Sequence, residues 1–172
     1  MSHRDATLFS SDGASLAAPN FLLDGVINFV MAHMTTKLGD ESLLLVSPSV
    51  ASLLANLQDY EPEAVADAAQ ALLLASRRMV LFPVNNSERL DKADDGSHWS
   101  LLVLDNITGR FVHHDSMDGA NLPAATRLAD ALRSRAMGTI AASTCWQLPW
   151  PSAGGGRSIQ GQKKRRPAGL SR

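Results

Sequence analysis

Gly96-Ser97-His98-Trp99-Ser100-Leu101-Leu102-Val103 sets a histidine at the head of an apolar run, and Arg110-Phe111-Val112-His113-His114-Asp115 follows it with an acid at its end. Between them, Asp105-Asn106-Ile107-Thr108-Gly109 carries the residues of a tight turn. The two runs read as hairpin strands over His98–Leu104 and Arg110–Asp115. Pairing His98 directly with Asp115 centres the turn between Asn106 and Ile107 and sets the two β-carbons about 4.5–5.5 Å apart on one face. A carboxylate at that spacing can orient an imidazole, which makes two thirds of a nucleophilic triad. Ser100, Leu102 and Leu104 share the His98 face while Trp99, Leu101 and Val103 occupy the other, so the strand is expected inside a sheet covered on both sides.

Outward from this hairpin the chain alternates helical and strand patterns. Leu23, Val26, Ile27, Val30, Met31 and Met34 recur at three- and four-residue spacing, predicting a helix over Leu23–Lys37 with one buried face and Asp24 near its start. Ser47-Pro48 opens a second helix through Leu57, presenting Val50, Leu53, Leu54 and Leu57 to the core. Glu61-Pro62 opens a third, through the alanine-rich Glu63–Ala75. Met79–Val84 reads as a strand, Asn85–Ser97 as a polar loop, Leu122–Ala136 as a fourth helix and Thr139–Ser143 as a final strand. Helices, then strands, then a helix predict an α+β fold. No internal repeat is present.

The 172 residues are 45% hydrophobic and 19% charged, enough for one globular domain with a real core. No run is long enough to span a bilayer, and Met1-Ser2-His3-Arg4-Asp5 has no signal-like apolar block, so a soluble cytoplasmic or nuclear protein is expected, away from membranes. The single cysteine, Cys145, excludes an internal disulfide and a cysteine-rich zinc site. Charge is uneven: residues 147–172 hold six basic side chains and no acid, which leaves −7 for the rest of a chain whose total is −1. Proline, glycine and basic residues dominate that end. The expected organisation is a flexible N-terminus over 1–19, a domain over 20–143 and a disordered tail over 144–172.

Met79–Val84, the polar loop, the Gly-Ser-His-Trp-Ser-Leu-Leu-Val run at 96–103, Phe-Val-His-His-Asp-Ser at 111–116 and Leu22-Leu23-Asp24-Gly25-Val26-Ile27 together resemble the ubiquitin-like-protein-specific cysteine protease family. Within it, the resemblance is greatest to the sentrin-specific branch that removes the Nedd-type modifier, called Rub in plants, and it covers roughly residues 20–137. The resemblance implies a papain-like fold with helices followed by a mixed sheet. It also implies a cofactor-free isopeptidase or peptidase of the thiol class, acting on Nedd/Rub or SUMO conjugates. His98 would be the general base, Asp115 its orienter, Trp99 a wall of the channel for the modifier's C-terminal tail, and Asp24 and the 85–97 loop part of the modifier-binding side.

The family completes its site with a Gln shortly before Asp-Cys-Gly, where the Cys opens a buried helix. Neither element occurs here. Cys145 stands in Ser143-Thr144-Cys145-Trp146-Gln147, with Pro149 and Pro151 after it, so the chain is expected to stop short of the nucleophile and to be inactive. Cys145 is then an inert thiol rather than a substitute nucleophile. The alternative is a module that holds the modifier without cleaving it, or an unstable remnant.

The remaining candidates have plain readings beside them. His98 could be a satisfied core histidine, and Asp24 a helix cap. Neighbouring His113 and His114 point to opposite faces of a strand and cannot jointly ligate a metal, so no metal is expected. One turn after His33 stands Lys37, neither an acid nor a histidine. Lys163-Lys164-Arg165-Arg166 resembles a targeting or nucleic-acid patch, but so short a basic run in a tail is common, and no nucleic-acid partner is expected.

Overall fold

The structure, a computed structural model, describes residues 2–3, 6–57, 61–87, 96–135 and 143–149. In chain order the elements are β1 (Ser2–His3), β2 (Ala6–Thr7), α1 (Ser10–Ala14), α2 (Asp24–Leu38), β3 (Leu43–Leu45), α3 (Pro48–Leu57), α4 (Pro62–Ala71), β4 (Met79–Asn85), β5 (Trp99–Asp105), β6 (Arg110–Asp115), α5 (Leu122–Arg135) and β7 (Ser143–Pro149). A 3₁₀ turn at Leu74–Ser76 leads into β4. The main sheet runs β3-β4-β5-β6-β7, with parallel pairs at both edges and antiparallel pairs in the middle. It is a mixed sheet in an α+β fold, as the sequence predicts.

The core lies between one face of this sheet and α3, α4 and α5. Val80, Phe82, Leu102, Leu104 and Phe111 meet Leu54, Val65, Leu128 and Leu132, all fully or almost fully buried. Ser47 opens α3 as expected, its hydroxyl accepting from the Val50 N–H at 3.3 Å. The opposite face of the sheet is less evenly covered: Pro83 and Val103 are buried, but Leu81, Leu101 and Val112 are only half-buried. The strand expected to be covered on both sides is therefore fully sealed on one face and partly covered on the other, because all three core helices pack on the same side.

Several sequence expectations shift. The six-residue buried face of α2 reduces to Val26; Val30 is 51% and Met34 37% exposed. Helix α2 packs beside the sheet, against the β1–β2 hairpin, β3 and α3, so little of its apolar stripe meets a partner. Leu53 on α3 is also exposed. Residues 1–19, expected to be a flexible lead-in, include α1, in which the Asp12 carboxylate accepts from the Phe9 N–H at 2.8 Å. A strand runs over Ser143–Pro149, so the first residues of the expected tail pair with β6; residues 139–142 of the expected final strand lie outside the described residues. Strand β3, three leucines set between the turn at Gly39-Asp40 and the helix start at Ser47-Pro48, has no counterpart in the sequence reading.

The hairpin register differs by one pair. Asp105 pairs with Arg110 and Leu101 with His114, which leaves a four-residue loop over Asn106–Gly109. A type I′ turn centred on Asn106 and Ile107 would need positive φ at both, which a β-branched Ile107 resists, and a type II′ turn would need it at Asn106, where glycine is favoured. Gly109 takes the left-handed conformation instead, at φ 64°. Asp105 fastens the loop: Oδ1 accepts from the Ile107 and Thr108 N–H groups at 2.9 and 3.3 Å, and Oδ2 from the Thr108 hydroxyl at 2.9 Å.

Candidate active site

His98 and Asp115 come together at one end of the sheet. The His98 Nε2 lies 2.5 Å from Asp115 Oδ1. Continuing the Leu101–His114 pairing sets Ser100 opposite Asp115, so His98 and Asp115 are diagonal neighbours and not the facing pair predicted. Moving a register by a whole pair keeps both residues on their original face. A diagonal gap is within reach of an imidazole, so the interaction survives the correction.

Each partner is held from behind. His98 sits immediately before β5, where the Asn86 side-chain oxygen accepts from the N–H groups of Ser97 and His98 at 2.8 and 3.2 Å. Gly96 lies so close to the Asn85 side chain that a β-carbon there would collide with it. Asp115, at the end of β6, is 3% exposed and fully bonded: Oδ1 also accepts from the Met117 N–H and Oδ2 from the Asn121 N–H, both at 2.8 Å. Burial, the largest single influence, pushes its carboxyl upward, but the Asn121 N–H, the His98 ring and the Met117 N–H together hold it below the ordinary carboxylate range. Asp115 thus stays ionised, as an orienter of a base must.

Trp99 and Asp24, the two residues expected on the modifier-binding side, line one cavity of about 670 Å³ together with Leu22, Ser52, Asn85 and Arg127. The Trp99 indole N–H donates to the Leu22 carbonyl at 2.8 Å, tying β5 to the segment that enters α2. Asp24 is the first residue of α2 and not its cap, a position taken by Leu23; its carboxylate accepts from the Gly25 N–H at 2.9 Å. Of the polar loop, residues 88–95 lie outside the described residues, as do 150–172 with the Lys163–Arg166 run.

Cys145 lies on β7, beside β6 in a parallel pair. Pro149 pairs with Asp115, and Cys145 is four residues earlier, in the irregular stretch between the partners of Arg110 and Val112. Four residues of strand span about 13 Å. The backbone of Cys145 is therefore well down the sheet from the end that carries His98 and Asp115.

Asn121 is absent from the sequence reading, and Ser100 and His113 appear there without a supporting role. Asn121 and Ser100 form a buried network with His113, whose Nε2 lies 2.9 Å from the Ser100 hydroxyl. His113 is fully buried; burial lowers its pKa most, the nearby Asp115 carboxylate opposes that, and His114 and His98 add to it. His114 is half-buried. Only the polar type of Asn121, just ahead of a helix, hinted at a role. Among the described residues no three His, Cys, Asp or Glu side chains gather as a metal site would require.

No protein-family model matches the chain. It is 35% identical over 132 residues to NEDD8-specific protease 1 of Arabidopsis thaliana, an alignment covering 77% of this chain and 58% of that protein. The chain belongs to the ubiquitin-like-protein protease family. A second member, sentrin-specific protease 8 of Homo sapiens, is 28% identical over 137 residues, covering 78% of this chain and 63% of that one. The chain thus spans about three fifths of the relatives it matches. Among solved structures, the SUMO protease Ulp1 with its catalytic cysteine oxidised to a sulfenic acid shares the protease fold with a TM-score of 0.58 at 16% identity, covering 90% of this chain and 68% of that one.

Proposed function

We propose that this chain carries the modifier-recognition and general-base part of a cysteine isopeptidase acting on a ubiquitin-like modifier, of the Nedd/Rub type or of the SUMO type. The His98–Asp115 contact carries the reading: a buried ionised carboxylate, bonded on both oxygens, holds an imidazole at the end of the sheet. The relatives' names supply the substrate class, NEDD8 for the Arabidopsis protein and SUMO for Ulp1. In a complete site, His98 would take the proton of an attacking thiol and later activate the water that releases the modifier's C-terminal carboxylate.

Within these 172 residues that thiol is not supplied to His98. Cys145 is the one cysteine, and its backbone stands about 13 Å along the strand from the residue paired with Asp115. The chain then binds a modifier without hydrolysing it. A modifier bearing a C-terminal electrophile tests this. Mass spectrometry should find the chain unlabelled, and an adduct on Cys145 would overturn the assignment.

A further inference from the structure

Asn121 is completely buried and reaches both members of the His98–Asp115 pair. Its backbone N–H donates to Asp115 Oδ2 at 2.8 Å. Its side-chain Nδ2 lies 3.0 Å from the His98 carbonyl, 3.0 Å from the Val84 carbonyl and 3.1 Å from the Ser100 hydroxyl. One residue thereby joins β4, the head of β5 and the turn after β6. Its position immediately before α5 fixes it further, because its own carbonyl accepts from the Ala125 N–H at 3.0 Å in the first turn of that helix.

From this geometry we infer that Asn121 is a positioning residue for the His98–Asp115 pair, setting the place of the His98 backbone relative to the Asp115 carboxylate. Two sets of facts support it. His98 stands at the very end of the β4–β5 ladder, since β5 begins at Trp99, and there one long backbone bond, from the Asn86 N–H to its carbonyl at 3.4 Å, continues the pairing. Two shorter bonds to side-chain amides add to that hold: the Asn86 side-chain oxygen accepts from the His98 N–H at 3.2 Å and the Asn121 side-chain amide donates to the His98 carbonyl at 3.0 Å. Asp115 faces the same amino acid from the other strand, so a displacement of Asn121 separates base from orienter even with both side chains intact. A buried amide whose donors were left unpaired would cost stability, so the residue is under pressure to stay where these acceptors are.

The inference deepens the proposed function but its test needs neither a modifier nor a thiol, so either can fail alone. In the ¹⁵N-labelled full chain, the His98 ring is observed by long-range proton–nitrogen correlation. The wild type should show one tautomer protonated at Nε2, with a low-field proton from the bond to Asp115. Asn121→Ala keeps the backbone N–H to Asp115 and removes only the side-chain amide. It should lose the low-field signal and show mixed tautomers while its methyl spectrum stays that of a folded protein. Ser100→Ala is the control for simple destabilisation, since it disturbs the same network without touching His98, and its ring spectrum should match the wild type. An unchanged His98 ring in folded Asn121→Ala, or an equal loss in Ser100→Ala, would overturn the inference. Should Asn121→Ala not fold, hydrogen exchange in the wild type decides: the Asn121 side-chain amide and the His98 ring proton should open with one free energy and one urea dependence, and separate openings would contradict the assignment.

Discussion

His113 shows how the buried polar face of the sheet should respond to pH. Burial lowers its pKa, so the folded protein holds it neutral while the unfolded chain protonates it near pH 6.5. The unfolded state then binds more protons below that value, and stability is lost as pH falls through it. His113→Phe removes the titrating group. Urea unfolding at pH 7.5 and 5.5 should show the wild type losing stability relative to the variant, by up to about 1.4 kcal/mol per pH unit. Parallel losses in the two proteins would show that His113 takes no part. Asp115 acts in the same direction at lower pH: its depressed pKa contributes stability above the ordinary carboxylate range, which disappears as pH falls through the folded value.

At the scale of elements, the β5–β6 hairpin decides where the chemistry sits. Asp105 ties three groups of the loop, and removing them in Asp105→Ala should destabilise the protein by about 1 kcal/mol in chemical denaturation, with an unaltered fold. A change well below a few tenths of that would mean that Gly109 and the ladder fix the register without it. The hairpin also shows what was legible in advance. Strand β6 and the residues of the turn were readable from alternation and turn chemistry, but the pairing was set by a backbone requirement, positive φ at Gly109 rather than Ile107, that composition does not display. Because the error was a whole pair, the faces and the His98–Asp115 contact were unaffected. The apolar spacing of α2 located a helix but misjudged its burial, since periodicity marks a face and does not say whether anything packs on it. Asn121 was illegible for another reason: its partners are carbonyls of residues distant in sequence, and no local pattern announces them.

Across the whole molecule, the sheet end that bears His98 and Asp115 adjoins the cavity walled by Trp99 and Asp24, so the proposed base and the proposed recognition surface are built by one hairpin and the segment leading into α2. The chain matches about three fifths of its relatives' length. Binding can therefore be asked of this chain separately from catalysis. Isothermal titration of the full chain with a mature Nedd/Rub-type modifier, and in parallel with SUMO, should give saturable one-to-one binding to one of the two, weakened in Trp99→Ala. No heat and no NMR shift perturbation with either modifier at high micromolar concentration, from a chain shown to be folded, would contradict the account.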